Sequence, residues 1–304
     1  MLKNAIVACA DRQQLPAACV ALCTARRHAG TNPVSLFAVG EDCGTAEIDA
    51  LRSFCSVNGI EITFVSFEKK SNVGKERGRG HISSGAYIRL HLDQLLPADL
   101  GRVLYIDADT ITGADISSLF TMDLGEKVLA AAHEVYVEAR IPEFNKHLFN
   151  VRRDGYFSSG VMLFDWQKTF ASGLLASVRA FAASKPDIRF HDQDCLNYVA
   201  TGRWTGLDPK YNTVIQHQSA GVKTTIAHFA NFEKPWLPNY YMRQLRYRKV
   251  YKRLLALTPW SAFVRRKTII GWFIVLWEPV MWWRQRSVGL EWQSLRGSKV
   301  ETSA

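Results

Sequence analysis

The 304-residue chain has no C-x-x-C pair, no apolar run long enough to cross a bilayer and, over its first 240 residues, no net charge. Its six cysteines (Cys9, Cys19, Cys23, Cys43, Cys55, Cys195) contain no C-x-x-C pair, which excludes a structural zinc site of the usual spacing. Most sit in apolar stretches such as IVACAD and CVALC, where a free thiol behaves as a small buried hydrophobe. The longest apolar run, Thr268 to Trp277, is about half of the roughly 20 residues that span a membrane. The opening MLKNAIVACAD is too short for a signal peptide and reads as a first buried strand. Together these features predict a cytosolic body. There is no internal repeat and no low-complexity segment. With 47% hydrophobic and 22% charged residues, the composition excludes disordered, collagen-like and disulfide-scaffold proteins.

What charge there is lies at one end. Residues 241–304 hold 13 of the 38 Lys/Arg, only 3 of the 28 Asp/Glu and six of the nine Trp. That segment accounts for the whole net charge of +10. The expected division is therefore a neutral globular domain, 1–240, and a basic, Trp-rich tail, 241–304.

Within the body, apolar runs of strand length alternate with amphipathic runs of helix length. Strands are expected at 5–10, 34–39, 60–67, 103–106, 128–132 and 160–164. Helices are expected at 15–27, 46–58, 83–95, 169–183 and 192–201. Continuous apolar strands between helices predict a doubly wound α/β fold with a mostly parallel sheet. Ligands of such sheets bind beyond the C-terminal strand ends, where Asp11 and Asp107 fall. The loop 68–80 and the stretch 137–155 are long enough to act as lids.

The sharpest local pattern is Leu104-Tyr105-Ile106-Asp107-Ala108-Asp109. In an extended segment two carboxylates one residue apart lie on the same side and can reach one divalent cation. Hard oxygen ligands suit Mg²⁺ or Mn²⁺ and leave positions open for phosphate oxygens. An isolated D-x-D also reads as a strand-end turn with a capping Asp. Asp107-Ala108-Asp109-Thr110 after four apolar residues also resembles the haloacid-dehalogenase phosphatases, although that family's motif opens its first strand and is followed by a GDxxxD-type cluster not found here.

Taken with its neighbours, the pattern resembles the retaining glycosyltransferases of family 8, which use nucleotide sugars and include lipopolysaccharide galactosyl- and glucosyltransferases and glycogenin. The resemblance runs from about Ala5 to Trp236. Cys9-Ala10-Asp11, with Gln13 beyond, stands where the family binds uracil and ribose. His81 to Leu90 is similar to the helix whose Arg, here Arg89, contacts the donor. Asp107-Ala108-Asp109 matches the metal- and donor-binding pair. Tyr156 to Phe164 resembles the "YFNAGV" strand, His191 to Asn197 the "QDQDxLN" helix, and His228-Phe229 with Lys234-Pro235-Trp236 the closing "H…KPW" element.

This resemblance implies a GT-A fold, a UDP-hexose donor and a Mn²⁺ or Mg²⁺ ion held by Asp107, Asp109 and His228. It implies that Lys234 faces the diphosphate, that Asp192 holds sugar hydroxyls and that Gln193 lies under the anomeric carbon. A carboxamide is a poor nucleophile, so front-face substitution is the expected retaining mechanism, with Asp192 as transient nucleophile the alternative. Each residue has a plainer reading when taken alone. Asp11 would cap a helix, Arg89 would lie on an exposed helix face, Asp192 and Asp194 would offset a helix dipole, and His228 and Lys234 would be solvated. Two departures, Ser158 where relatives have Asn and His133-Glu134 where they have Asp, leave the sugar open.

In the tail, Arg243, Arg246, Arg248, Lys249, Lys252, Arg253 and Arg265 to Lys267 precede IIGWFIVLWEPVMWW, residues 269–283. A basic, Trp-rich segment too short to span fits an interfacial anchor on an anionic leaflet; the alternative is a helix packed back on the body. No nucleic-acid-binding module accompanies the charge. The sequence thus predicts a peripheral enzyme on the inner face of the cytoplasmic membrane, transferring galactose or glucose to lipopolysaccharide core or another lipid-linked glycan. The other readings are a phosphatase and an inactive sugar-nucleotide-binding protein.

Overall fold

A computed structural model describes residues 2–68, 85–134, 155–184, 191–215, 223–230, 234–238 and 244–265. Strand β1 (Lys3–Asp11) leads into helix α1 (Leu15–Arg27), then β2 (Val34–Glu41), α2 (Thr45–Asn58) and β3 (Thr63–Phe67). After α3 (Gly85–Ile88) and α4 (Leu92–Leu95) come β4 (Leu100–Ile106), β5 (Thr110–Thr112), β6 (Leu129–His133) and β7 (Phe157–Asp165). The remaining elements are α5 (Trp166–Ala171), α6 (Leu174–Ser184), α7 (His191–Val199), β8 (Trp204–Gly206), β9 (Thr213–Val214), β10 (Ile226–His228) and α8 (Leu245–Leu255).

Seven strands form one sheet in the order β3-β2-β1-β4-β7-β6-β8. All pairings are parallel except those of β7, which runs against both β4 and β6. The expected mostly parallel α/β sheet is therefore present. Its central strands are apolar throughout because both faces are covered: Ala5 to Ala10 of β1 and Val103 to Ile106 of β4 are all buried. Helix α1 is buried from Leu15 to Ala25, and its Ala and Cys side chains let it lie close under the sheet. The opposite face is covered by α6, α7 and Trp166. A second, three-stranded sheet, β5-β10-β9, pairs Thr110 with His228 and so brings a late segment of the chain to the end of β4.

Two expected helices are broken. Within 83–95 the described part consists of α3, a 3-10 turn at Arg89–His91 and α4. The segment 169–183 is split between α5 and α6 at Gly173, whose φ of +59° is left-handed and ends a helix. The expected lids at 68–80 and 137–155 lie almost wholly outside the described residues, as does the anchor segment 269–283.

The charge step near residue 240 is not a packing step. Tyr247, Tyr251, Leu254 and Leu255 of α8 join the core on the α1 side. Trp236 packs against Tyr251 and Phe263. The buried Arg248 donates to the carbonyls of Pro235, at 2.9 Å, Leu237 and Arg265. The cations Arg246, Lys249, Lys252 and Arg253 are exposed. No helix among the described residues is long and apolar enough to cross a membrane. All six cysteines are free thiols, four of them buried.

Candidate active site

The site lies where β1 and β4 end and β7, antiparallel to them, begins. Asp11 closes β1. Its Oδ1 accepts the Gln14 N–H at 2.9 Å and so shapes the entry to α1, while Gln13 is exposed and Ala10 buried. One strand over, Asp107 follows β4, and its N–H donates to the Gly160 carbonyl at 2.8 Å. Ala10, Asp11 and Gln13 thus lie at the same C-terminal strand end of the sheet as the D-x-D motif.

Around Asp107 the structure builds a dense ionic knot. Arg89 is 6% exposed, not on an exposed helix face as its place in the sequence suggests; the 3-10 turn after α3 rotates it inward. Its Nη2 lies 2.9 Å from Asp107 Oδ1 and its Nε 3.2 Å from Asp192 Oδ2. Its Nη1 donates to the Ser159 carbonyl at 2.8 Å and to Ser159 Oγ at 3.1 Å. Its guanidinium also stacks over the Tyr105 ring, 4.8 Å from the centroid. The Tyr105 hydroxyl donates to Asp107 Oδ1 at 2.6 Å. Burial pushes the Asp192 carboxyl above its ordinary value, and Arg89 only partly offsets that.

Gln193 is held as firmly. Its Oε1 accepts the Ser159 N–H at 2.9 Å and the Ser159 hydroxyl at 3.2 Å. Its Nε2 donates to the Tyr156 oxygen at 3.1 Å, and the Tyr156 hydroxyl donates to Asp194 Oδ1 at 2.5 Å. Asn197, one helical turn on, exchanges hydrogen bonds with the backbone of Phe157 at 2.8 and 2.9 Å. This fixes α7 against the start of β7. Ser158 is buried in the same strand.

The second carboxylate, Asp109, looks the other way. His228 Nε2 stands 3.5 Å from Asp107 Oδ2 and 3.4 Å from Asp109 Oδ1. Its Nδ1 is 2.9 Å from Asn212 Oδ1; when the ring is neutral, a proton held there leaves Nε2 as the ligand-type nitrogen. The ring fits only because position 160 is glycine: a Cβ there would lie 2.2 Å from His228 Cε1. Lys234 Nζ donates to Asp109 Oδ2 at 2.5 Å and to the Phe229 carbonyl. Burial alone would raise the Asp109 carboxyl, but the charges of Lys234 and His228 outweigh it and hold it well below the usual carboxylate range.

Asp107, Asp109 and His228 offer three ligand atoms within 4.8 Å of one another. Two carboxylate oxygens and an imidazole nitrogen can hold a divalent cation with coordination positions to spare. Ala108 sits between the two carboxylates, partly buried. The structure therefore brings together Arg89, Asp107, Asp109, Asp192, Gln193, His228 and Lys234, while for Ser158 it shows burial in β7. Tyr105, Tyr156, Ser159, Gly160, Asn197 and Asn212 belong to the same arrangement; all but Asn212 lie within the motifs, but none was assigned a role of its own. For Asn197 the signal was its spacing of four from Gln193 on one helix. For Asn212 there was none.

An α/β sheet with paired acids beyond its fourth strand is the architecture of nucleotide-sugar enzymes of the GT-A type. The chain matches Glycosyl transferase family 8 over residues 5–239 and belongs to that family. It is 29% identical over 202 residues to General stress protein A of Bacillus subtilis (strain 168), covering 60% of this chain and 68% of that protein. It is 30% identical over 194 residues to Lipopolysaccharide 1,2-glucosyltransferase of Escherichia coli (strain K12), covering 59% and 56% of the two. The structure superimposes on galactosyltransferase LgtC in complex with donor and acceptor sugar analogues with a TM-score of 0.72 and 19% identity, over 86% of this chain and 99% of that one. At that identity the likeness establishes the GT-A fold. The chain is thus a glycosyltransferase by family, which leaves the phosphatase reading without support.

Proposed function

We propose that the chain transfers a hexose, galactose or glucose, from a UDP-sugar to a glycan acceptor with retention of anomeric configuration. The observation that carries this reading is the pairing of a three-ligand cluster, Asp107-Asp109-His228, with the Arg89-Asp192-Gln193 knot on one sheet edge. A divalent ion of the Mn²⁺ or Mg²⁺ kind, held by Asp107, Asp109 and His228, would supply positive charge to the departing diphosphate. Lys234, on a flexible stem, turns toward the same diphosphate as a point charge. Asp11, Ala10 and Gln13, one strand over, receive the uridine.

Asp192 takes sugar hydroxyls, with Arg89 fixing its position. Gln193 lies beneath the anomeric carbon. Both acceptor directions of its Oε1 are taken by Ser159, so it orients the sugar and does not attack it. The step is then a front-face substitution. The bond from the anomeric carbon to the β-phosphate oxygen breaks, the acceptor oxygen bonds to that carbon on the same face, and the acceptor proton passes to the leaving phosphate. Rate enhancement comes from positioning and charge.

The acceptor class is a lipopolysaccharide core or another lipid-linked glycan at the inner face of the cytoplasmic membrane. The exposed cations of α8 and the Trp-rich segment beyond it support that placement, since each surface cation contributes about 1 kcal/mol on an anionic leaflet. UDP release from a panel of UDP-sugars tests the catalytic reading. One sugar should be hydrolysed slowly with Mn²⁺ and spared with EDTA or in Asp107→Ala. Release of inorganic phosphate, or neither release nor binding of UDP, would refute it. Sedimentation with anionic vesicles, lost when residues beyond 265 are removed, tests the membrane placement.

A further inference from the structure

The two carboxylates of the metal cluster already carry cations from within the chain. Asp107 Oδ1 is held by the Arg89 fork at 2.9 Å, and its Oδ2 faces His228 Nε2. Asp109 Oδ2 is held by Lys234 at 2.5 Å, and its Oδ1 also faces Nε2. The two cations differ in their anchorage. Arg89 is fastened to Asp192, Ser159 and the Tyr105 ring and cannot leave without stranding them. Among the described residues Lys234 is held by Asp109 and the Phe229 carbonyl. Its side chain is 19% exposed, and it stands on the segment that follows His228.

We propose that Lys234 is an exchangeable counterion: paired with Asp109 it opposes the divalent ion, and it is drawn off by the diphosphate of the donor. An ammonium on Asp109 Oδ2 and a divalent ion on the same carboxylate repel each other at close range. The ion alone therefore meets a neutralised ligand. A diphosphate entering beside the cluster offers Lys234 a stronger anionic partner and frees Asp109 for the metal. Metal and nucleotide then assist each other's binding, and the assistance is reciprocal. The arrangement keeps the site from filling with metal unless a nucleotide is present. This rests on the proposed metal and diphosphate roles of the site.

The test is titration of the full-length protein with MnCl₂, followed by electron paramagnetic resonance of free Mn²⁺, with and without UDP. Lys234→Met should bind Mn²⁺ alone about tenfold tighter than wild type, and the gain that UDP brings to Mn²⁺ affinity should shrink by about the same factor. Lys234→Arg keeps the charge and should stay at the wild-type affinity for the ion alone. Circular dichroism and thermal unfolding check that each variant is folded, and the two substitutions back each other if one is not. A Lys234→Met protein that binds Mn²⁺ no tighter than wild type, or more weakly, overturns the proposal while leaving the metal site intact. Lys234→Arg binding as tightly as Lys234→Met also overturns it, because charge would then not be the cause. Absence of Mn²⁺ binding in every protein, with and without UDP, overturns both the proposal and the metal role of the cluster.

Discussion

The Arg89 knot and the Lys234 bridge neutralise neighbouring aspartates by opposite means. Arg89 lies 6% exposed between two carboxylates, two Ser159 oxygens and an aromatic face, and its planar fork matches that many partners at once. Lys234 meets Asp109 and one carbonyl through a single ammonium on a flexible stem. Both aspartates are about equally exposed, 20% and 19%, so burial does not explain the contrast; the choice of cation does. In the proposed mechanism arginine fixes the half of the site that stays still, and lysine serves the half where charge moves.

The largest expected effect comes from breaking the fixed half. Arg89→Met strands Asp107 and Asp192, and losing one partner of a buried ionic cluster costs about 3–5 kcal/mol. In a domain of this size that lowers the melting temperature by roughly 10 °C, measurable by calorimetry. Arg89→Lys should recover little of it, since one ammonium cannot serve two carboxylates and Ser159 together. Full recovery by lysine would erase the distinction drawn between the two cations.

Gly160→Ala comes next. A Cβ set 2.2 Å from His228 Cε1 must push the ring away, at a cost of about 1–3 kcal/mol of overpacking. Because His228 is one of the three cluster residues, Mn²⁺ affinity should fall in the same variant. Unchanged Mn²⁺ titration would remove His228 from the ligand set. Tyr105→Phe deletes one hydrogen bond to a charged acceptor and should cost about 1.5–3 kcal/mol by denaturant unfolding, toward the lower end because Arg89 still holds the same oxygen. At the bottom of the scale, Arg12→Ala removes an ion pair to Glu47 whose cation is 63% exposed and should leave the melting temperature essentially unchanged.

The parts of this contrast were unequally legible in the sequence. The continuous apolar runs ending in Asp11 and Asp107 announced a mostly parallel sheet, because burial on both faces dictates composition directly. Helix α1 spans the residues that its pattern predicts. The D-x-D pair and His228 were visible as motifs. Arg89 was quoted but misplaced: inferring its burial requires the 3-10 turn that ends α3, and its partners Asp107 and Asp192 come from remote segments. The antiparallel course of β7 was hidden as well, since an apolar strand buried on both faces reads the same in either direction. Gly160 looked like one glycine among 20 until β10 brought His228 against it.

The clasp of Arg248 on the carbonyls of Pro235, Leu237 and Arg265 sets where the protein can be cut. A truncation placed at the charge boundary near residue 240 would discard the guanidinium and leave Trp236 without Tyr251 and Phe263, so the product should be insoluble or prone to proteolysis. A stop codon after Arg265 keeps the clasp whole and removes the Trp-rich extension alone. That position is the natural end point for a trimmed version meant for crystallisation or assay.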